Sequence, residues 1–158
     1  MSIEVSSLTP GVVIETAAAR VGVAPAQGRL SLRARGDLTA LNAALGLALP
    51  DRIGKRAEAG GIEAIRLGPD EWILRVPADG MAPRTAACAA VYADHPHSLV
   101  DISGREVTLL VEGPRAAELL TLGCPRDIET IPPGEGRRTL FDGATVVLVE
   151  ENGLTVGA

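Results

Sequence analysis

The feature that most constrains this chain is an internal match in its own sequence. Residues 21–50 slide onto 98–127 without a gap. Val23 then falls on Val100, Leu32 on Leu109, Gly36 on Gly113, Ala40 on Ala117, Leu45 on Leu122 and Gly46 on Gly123. The matched glycines bracket a short apolar segment in each stretch, so both stretches have to build the same local unit. In the first, Leu30, Leu32 and Ala34 alternate as a strand and Gly36 turns. Asp37 is placed to cap a helix whose face carries Leu38, Leu41, Leu45 and Ala48. In the second, Val107, Leu109 and Val111 alternate and Gly113 turns. Pro114 takes the first helical position, Ala116, Leu119 and Leu120 face inward, and Gly123 ends the helix. The register predicts that Leu32 and Leu109 are both buried on one sheet face.

A hairpin follows each helix after a Pro- and Gly-rich passage. The first is Ile62–Val76, turning at Gly68-Pro69-Asp70, where Gly permits positive φ, Pro fixes φ and Asp caps its own backbone. Trp72, the one tryptophan, opens the returning strand and reads first as a plug of the core. The second runs from Ala144 to Val149, turns at Glu151-Asn152-Gly153 and returns through Leu154-Thr155-Val156. The first copy continues into a helix near Met81–Tyr92, starting around Pro83; the second stops where that helix is due. These elements predict an α+β fold: a single domain, 1–158, with two layers and a mainly antiparallel sheet. It is built from two pseudo-repeated strand–helix–strand–strand units, about 21–93 and 98–158, the second lacking its final helix.

Composition narrows the function classes. Of 158 residues 46% are apolar but only Trp72, Tyr92 and Phe141 are aromatic, so the core is aliphatic. A net charge of -5, with both signs scattered, gives neither the basic patch nor the stacking platforms of a nucleic-acid surface. Cys88 and Cys124 have no CxxC partner and read as reduced thiols. Met1–Val5 lacks the basic-then-apolar pattern of a signal peptide, and no apolar run reaches the length of a membrane span. The expectation is a cytoplasmic protein.

The candidate chemistry is sparse. His95 and His97 flank Pro96, but a metal site needs further ligands and no companion motif supplies them. Ser98 and Asp101 point to opposite faces of a strand. Gly60-Gly61 and Gly134-Glu135-Gly136 read as permissive loop, not as phosphate cradles. Cys124 lies at a helix C-terminus, where the dipole disfavours thiolate. Arg137-Arg138 are cations at a strand edge. No set of residues joins a nucleophile, a base and an oxyanion site. The expectation is therefore no catalytic, cofactor-binding or metal residue on this chain, with Trp72, His95, His97, Arg137 and Arg138 as candidate subunit-interface residues.

Several ordered motifs carry a resemblance: Leu67-Gly68-Pro69-Asp70-Glu71-Trp72, His97-Ser98-Leu99-Val100-Asp101-Ile102-Ser103, Gly113-Pro114-Arg115-Ala116, Leu122-Gly123-Cys124-Pro125-Arg126-Asp127, and Pro132-Pro133-Gly134 with Arg138-Thr139-Leu140. Together, over roughly residues 30 to 150, they resemble the gamma subunit of heterotetrameric sarcosine oxidase. That family shares the folate-binding-domain fold of glycine-cleavage aminomethyltransferase, itself a pseudo-repeat. The resemblance implies alpha, beta and delta subunits as partners, with neither nucleic acid nor membrane. Such a complex oxidatively demethylates sarcosine to glycine, forming hydrogen peroxide and passing the one-carbon unit to tetrahydrofolate or releasing formaldehyde. It implies FAD, FMN, NAD, zinc and tetrahydrofolate on the other subunits and none on this one. Aminomethyltransferases follow a Gly-Gly pair with an Asp-Asp that works on folate. Here Gly60-Gly61 leads into Ile62-Glu63-Ala64-Ile65, so that acid pair is missing. The alternative reading is a stand-alone tetrahydrofolate-binding or one-carbon-transfer domain.

Overall fold

The computed structural model describes residues 8–151 and 153–157. The expectations for Met1–Val5 and for Asn152 at the second turn lie outside the described residues. The fold is mixed α+β with every strand pairing antiparallel. The strands fall into two sheets, and the chain forms two compact units where one domain is expected. One unit is Gln27–Ser103; the other joins the residues up to Ala26 with those from Gly104 onward.

In the Gln27–Ser103 unit, β3 (Gly28–Ala34) is followed by α1 (Thr39–Leu45), β4 (Arg56–Ala59), β5 (Ile62–Gly68), β6 (Glu71–Val76), α2 (Met81–Ala90) and β7 (His97–Asp101). The sheet order is β4-β5-β6-β3-β7. Leu30, Leu32 and Ala34 pack inward from β3, as their alternation predicts, against Leu41 and Leu45 of α1 and Trp72 and Leu74 of β6. Asp37 accepts the Thr39 N–H at 2.8 Å and so covers an open donor of the first turn. Ala48 does not continue the helical face. The helix ends at Gly46 in the left-handed region (φ 70°), and Leu47 and Leu49 turn inward instead.

In the other unit, β1 (Gly11–Glu15) and β2 (Arg20–Val23) form a hairpin. Then come β8 (Thr108–Glu112), α3 (Ala116–Thr121), β9 (Gly136–Phe141), β10 (Ala144–Glu151) and β11 (Gly153–Gly157). The order is β1-β2-β8-β11-β10-β9. Val111, Ala116, Leu120, Cys124, Ile128, Ile131, Val146 and Leu148 make its core, with Leu109 half-buried against them. Leu32 and Leu109 are thus both withdrawn from water, Leu109 less completely.

The two sheets follow one plan: β4-β5-β6-β3-β7 corresponds strand for strand to β9-β10-β11-β8-β2, with β1 added outside. The first strand of each matched stretch is exchanged. β2 precedes β3 in the chain yet pairs with β8, whereas its register counterpart β7 pairs with β3. That exchange makes the second unit discontinuous in sequence. Each unit also has one strand more after its helix than expected, β4 and β9. Gly60-Gly61 (φ 57° and 76°) turns β4 into β5, and Asp142-Gly143 (φ 47° and 83°) turns β9 into β10. Both are the left-handed pairs that a two-residue hairpin demands.

Two helical expectations are corrected. Leu119 faces outward while Ala116 and Leu120 face the core. Gly123 does not end α3 through positive φ; a Cβ there would lie 2.9 Å from the Phe141 ring, so this glycine makes room for an aromatic. Gly68, likewise, ends β5 opposite Glu71 without left-handed φ.

Candidate functional site

The Trp72 hairpin is a locked structural corner. The indole is 1% exposed and its Nε1 donates to the Pro50 carbonyl at 2.9 Å. The Arg66 guanidinium lies 4.9 Å from the ring centroid and donates to the carbonyls of Asp51, Gly68 and Pro69. Outside the turn, Arg35 Nε and Nη2 both reach Asp70 Oδ2 at 2.9 Å, with Arg33 at 3.5 Å from Oδ1. The Arg35 hydrogen bond holds the Asp70 carboxyl below its ordinary range. Asp70 is gripped by Arg33 of β3 and by Arg35 just beyond it, and its carboxylate also takes its own backbone N–H, as the turn chemistry predicts. As a candidate interface residue, Trp72 is corrected: its ring is core and offers no surface.

The histidines belong to a connection. Past α2, the His95 N–H donates to Val91 O at 3.0 Å. The His97 Nδ1 lies 2.7 Å from His95 O, and its ring packs edge-on to Tyr92 with centroids 5.5 Å apart. Both histidines are half-buried. Among the described residues no three His, Cys, Asp or Glu side chains cluster as a metal-holding group. No described helix is long and apolar enough to cross a membrane.

Arg137 and Arg138 lie on β9, the edge of the six-stranded sheet, in the other unit from the histidines and Trp72. Arg137 pairs with the buried Glu135 beside it; Arg138 is exposed.

The remaining reactive groups are occupied. Glu63, two residues past Gly60-Gly61, is buried between Arg56, 2.6 Å away, and Arg75. Ser103 Oγ donates to Asp101 Oδ1 at 2.6 Å and accepts the Arg29 N–H at 2.9 Å; its bond lowers the Asp101 carboxyl. Burial pushes the Cys88 thiol up, away from reactive thiolate. The Cys124 Sγ lies 3.8 Å from Thr139 Oγ1 at the core edge.

One surface feature escapes the sequence reading. Every residue of β1 is exposed, Val12, Val13 and Ile14 by 50–62%. Ile14 and Val21, the Thr16–Ala19 loop, and Arg115, Glu118, Leu119 and Leu122 of the α3 segment line a groove of about 280 Å³. Leu122 is 82% exposed. Ile14 and Leu122 lie more than a hundred residues apart, so no local pattern joins them.

No family model matches the chain. Three curated proteins do match: the sarcosine oxidase gamma subunits of an Arthrobacter species, 35% identical over 91 residues, and of Corynebacterium strains P-1 and U-96, 34% over 96 and 35% over 90. The alignments cover 56–59% of this chain and 43–45% of those proteins, so the chain spans less than half the length of the relatives it matches. A chain of the heterotetrameric sarcosine oxidase of Corynebacterium sp. U-96, solved with pyrrole 2-carboxylate, superposes with a TM-score of 0.77 at 25% identity. That match covers 93% of this chain and 78% of the other. This chain is similar to sarcosine oxidase gamma subunits. Aminomethyltransferase T of the Bartonella henselae glycine cleavage system superposes at 0.64 with 12% identity, over 89% of this chain and 42% of that one, and so shares the fold. The chain shares that fold while Glu63 stands ion-paired past the Gly-Gly turn.

Proposed function

We propose that this chain serves as the gamma subunit of a heterotetrameric sarcosine oxidase, with alpha, beta and delta subunits as partners, and that it is a structural subunit in the cytoplasm. The observation that carries the reading is the superposition on a chain of such an oxidase across nearly all of this chain. The complex would oxidise sarcosine to glycine with release of hydrogen peroxide. FAD, FMN, NAD, zinc and tetrahydrofolate would sit on the other subunits.

The state of its reactive groups supports a structural role. Glu63 is spent on two arginines, Ser103 on Asp101 and Arg29, and the Cys88 thiol is held protonated in the core. A group neutralised or tied in this way is a poor base or nucleophile. The shared strand plan and the exchanged first strands favour descent of both units from one duplicated two-layer element.

The test is affinity purification of the tagged chain from its source cell. Recovery of flavin-bearing subunits with sarcosine-dependent peroxide formation is the expected result. Recovery of the chain alone, with tetrahydrofolate binding by calorimetry, would replace this reading with a stand-alone folate domain.

A further inference from the structure

Each sheet has two edge strands, and three of the four are blunted against further strand pairing. β1 slips register between Val12 and Ile14, and such a bulge twists an edge away. β4 has four residues, and two of them, Arg56 and Glu58, are charged. β9 carries Arg137 and Arg138 in succession. β7 has none of these devices. His97–Asp101 contains no Pro, Lys or Arg, holds an unbroken register against β3, and pairs with no second strand among the described residues.

The direction of its backbone groups follows from the pairing. The Ile102 N–H donates to Arg29 O at 2.9 Å on the β3 side. Backbone groups alternate along an antiparallel strand, so Val100 and Ser98 also turn theirs toward β3. His97, Leu99 and Asp101 turn their N–H and C=O groups to the open side. β7 also sits one residue out of step with its counterpart β2. Val23 pairs with Leu109 and is buried, whereas the matching Val100 pairs with Ser31 and stays 46% exposed; Leu99 takes the place opposite Leu32. A slip of one residue exchanges the faces of a strand. An apolar side chain is thus left in water on an unpaired edge, the combination that templates strand addition.

What fits this edge is written in its own sequence. Set His97-Ser98-Leu99-Val100-Asp101 antiparallel to itself about Leu99. Leu99 then faces Leu99, each His97 faces an Asp101 and each Ser98 faces a Val100. The residues with outward backbone groups fall opposite one another, so their N–H and C=O groups all find partners. Moving the centre to Val100 would set Leu99 against the Asp101 carboxylate, and moving it to Ser98 would set Leu99 against His97. The Leu99-centred register matches imidazole to carboxylate and apolar to apolar, the cross-strand pairs that stabilise a sheet. The polar ends are also pre-set. His97 Nδ1 is turned to His95 O at 2.7 Å and Asp101 Oδ1 is held by Ser103 at 2.6 Å, which leaves Nε2 and Oδ2 uncommitted.

We propose that β7 pairs antiparallel with β7 of a second copy across a two-fold axis at Leu99, joining two five-stranded sheets into one of ten strands. The same patch serves both copies, so the contact is closed. β4 then forms both ends of the joined sheet, and its short, charged edge stops growth at two copies. Five residues a side make a small interface and hence a weak, concentration-dependent dimer. The pairing is a property of the chain by itself and stands whether or not the gamma-subunit reading does.

The test uses the full chain. Sedimentation velocity over a wide concentration range should show the mass moving from monomer toward dimer. His97→Asp sets like charges face to face at both ends of the ladder and should raise the dissociation constant about tenfold or more, with circular dichroism unchanged. Oxidative cross-linking of Ser98→Cys and Val100→Cys, both at exposed positions, reads the register. Facing residues of a non-hydrogen-bonded pair lie about 4.5 Å apart at Cα, within disulfide reach. Neither variant alone should form a disulfide-linked dimer, and an equal mixture of the two should form the mixed dimer. A chain that stays monomeric at every concentration overturns the proposal. So does a dimer that His97→Asp leaves intact, or a mixture that cross-links no better than the single variants, because the copies then meet through another face or register.

Discussion

Leu45 and Leu122 occupy the same position in the internal register, yet Leu45 is 2% exposed and Leu122 82%. The two units share a strand order but not the setting of the helix on the sheet. In the Gln27–Ser103 unit, Leu41 and Leu45 seat α1 on a core that also takes Trp72, Cys88 and parts of α2. In the other unit, Ala116 and Leu120 seat α3, and the register counterparts of Leu41 and Leu45, Glu118 and Leu122, face outward. Sheet topology is thus held by pairing, which backbone hydrogen bonds dictate. Helix orientation is held only by which side chains reach the core and is free to rotate. One unit spends its apolar surface internally; the other keeps part of it outside.

Substitutions probe that contrast most strongly at the buried end. Trp72→Ala removes the largest fully buried side chain, its bond to Pro50 and the surface on which Arg66 stacks, and should cost about 3–5 kcal/mol. Urea titration should show it; a loss under about 1 kcal/mol would mean that the hairpin does not carry the core. The matched pair comes next. Leu45→Ala should cost about 2–5 kcal/mol, while Leu122→Ala in the isolated chain should stay within roughly 0.5 kcal/mol of wild type. Equal losses in the same titration would dissolve the contrast.

The register-matched glycines sharpen it further. Gly46→Ala forces a Cβ into left-handed φ and should cost about 1 kcal/mol, whatever surrounds it. Gly123→Ala has no such backbone strain; its Cβ meets the Phe141 ring. In a double-mutant cycle, Phe141→Leu should therefore recover part of the Gly123→Ala loss by opening that space and leave the Gly46→Ala loss untouched. Absence of coupling between Gly123 and Phe141 would remove the steric account of that glycine.

The punctuation of both units was legible. Alternation in Leu30, Leu32 and Ala34 and the Gly-Pro-Asp turn before Trp72 specify β3 and the β5–β6 hairpin through period and turn chemistry. β4 and β9 were missed because Arg56-Ala57-Glu58-Ala59 and the charged Gly136–Phe141 carry little β-branched signal, although Gly60-Gly61 and Asp142-Gly143 announce two-residue hairpins. Placing Leu119 inward failed because neighbouring helical residues lie about 100° apart, so with Ala116 and Leu120 four apart on the core face Leu119 is turned outward. The strand exchange was illegible for a related reason: β2 and β7 pair with β8 and β3 in patterns their own residues do not encode. For the candidate site, the reading of Trp72 as a plug of the core holds and its second reading as an interface residue does not. The β1–α3 groove unites residues from opposite ends of the sequence, where local patterns have no reach.

The smallest expected effect tests something the units share, since Glu118 of the other unit is also lowered, chiefly by its hydrogen bond from Arg115. Asp37, Asp70 and Asp101 are held below the ordinary carboxylate range, and all three belong to the Gln27–Ser103 unit. For Asp37 and Asp101 the largest cause is a side-chain hydrogen bond, from Thr39 and Ser103 respectively. A lowered folded-state pKa means that the native state releases the proton more readily than the unfolded chain. The stabilisation is then complete above the unfolded value, about pH 4, and is lost as pH falls through the folded value. Asp101→Asn should therefore lower the melting temperature at pH 7, and the deficit should shrink steadily as the pH approaches 3. Melting curves at pH 7, 5, 4 and 3 decide it. A deficit that stays constant across that range would mean that the Asp101–Ser103 contact acts through geometry alone and that charge contributes nothing to closing β7 onto the turn that follows it.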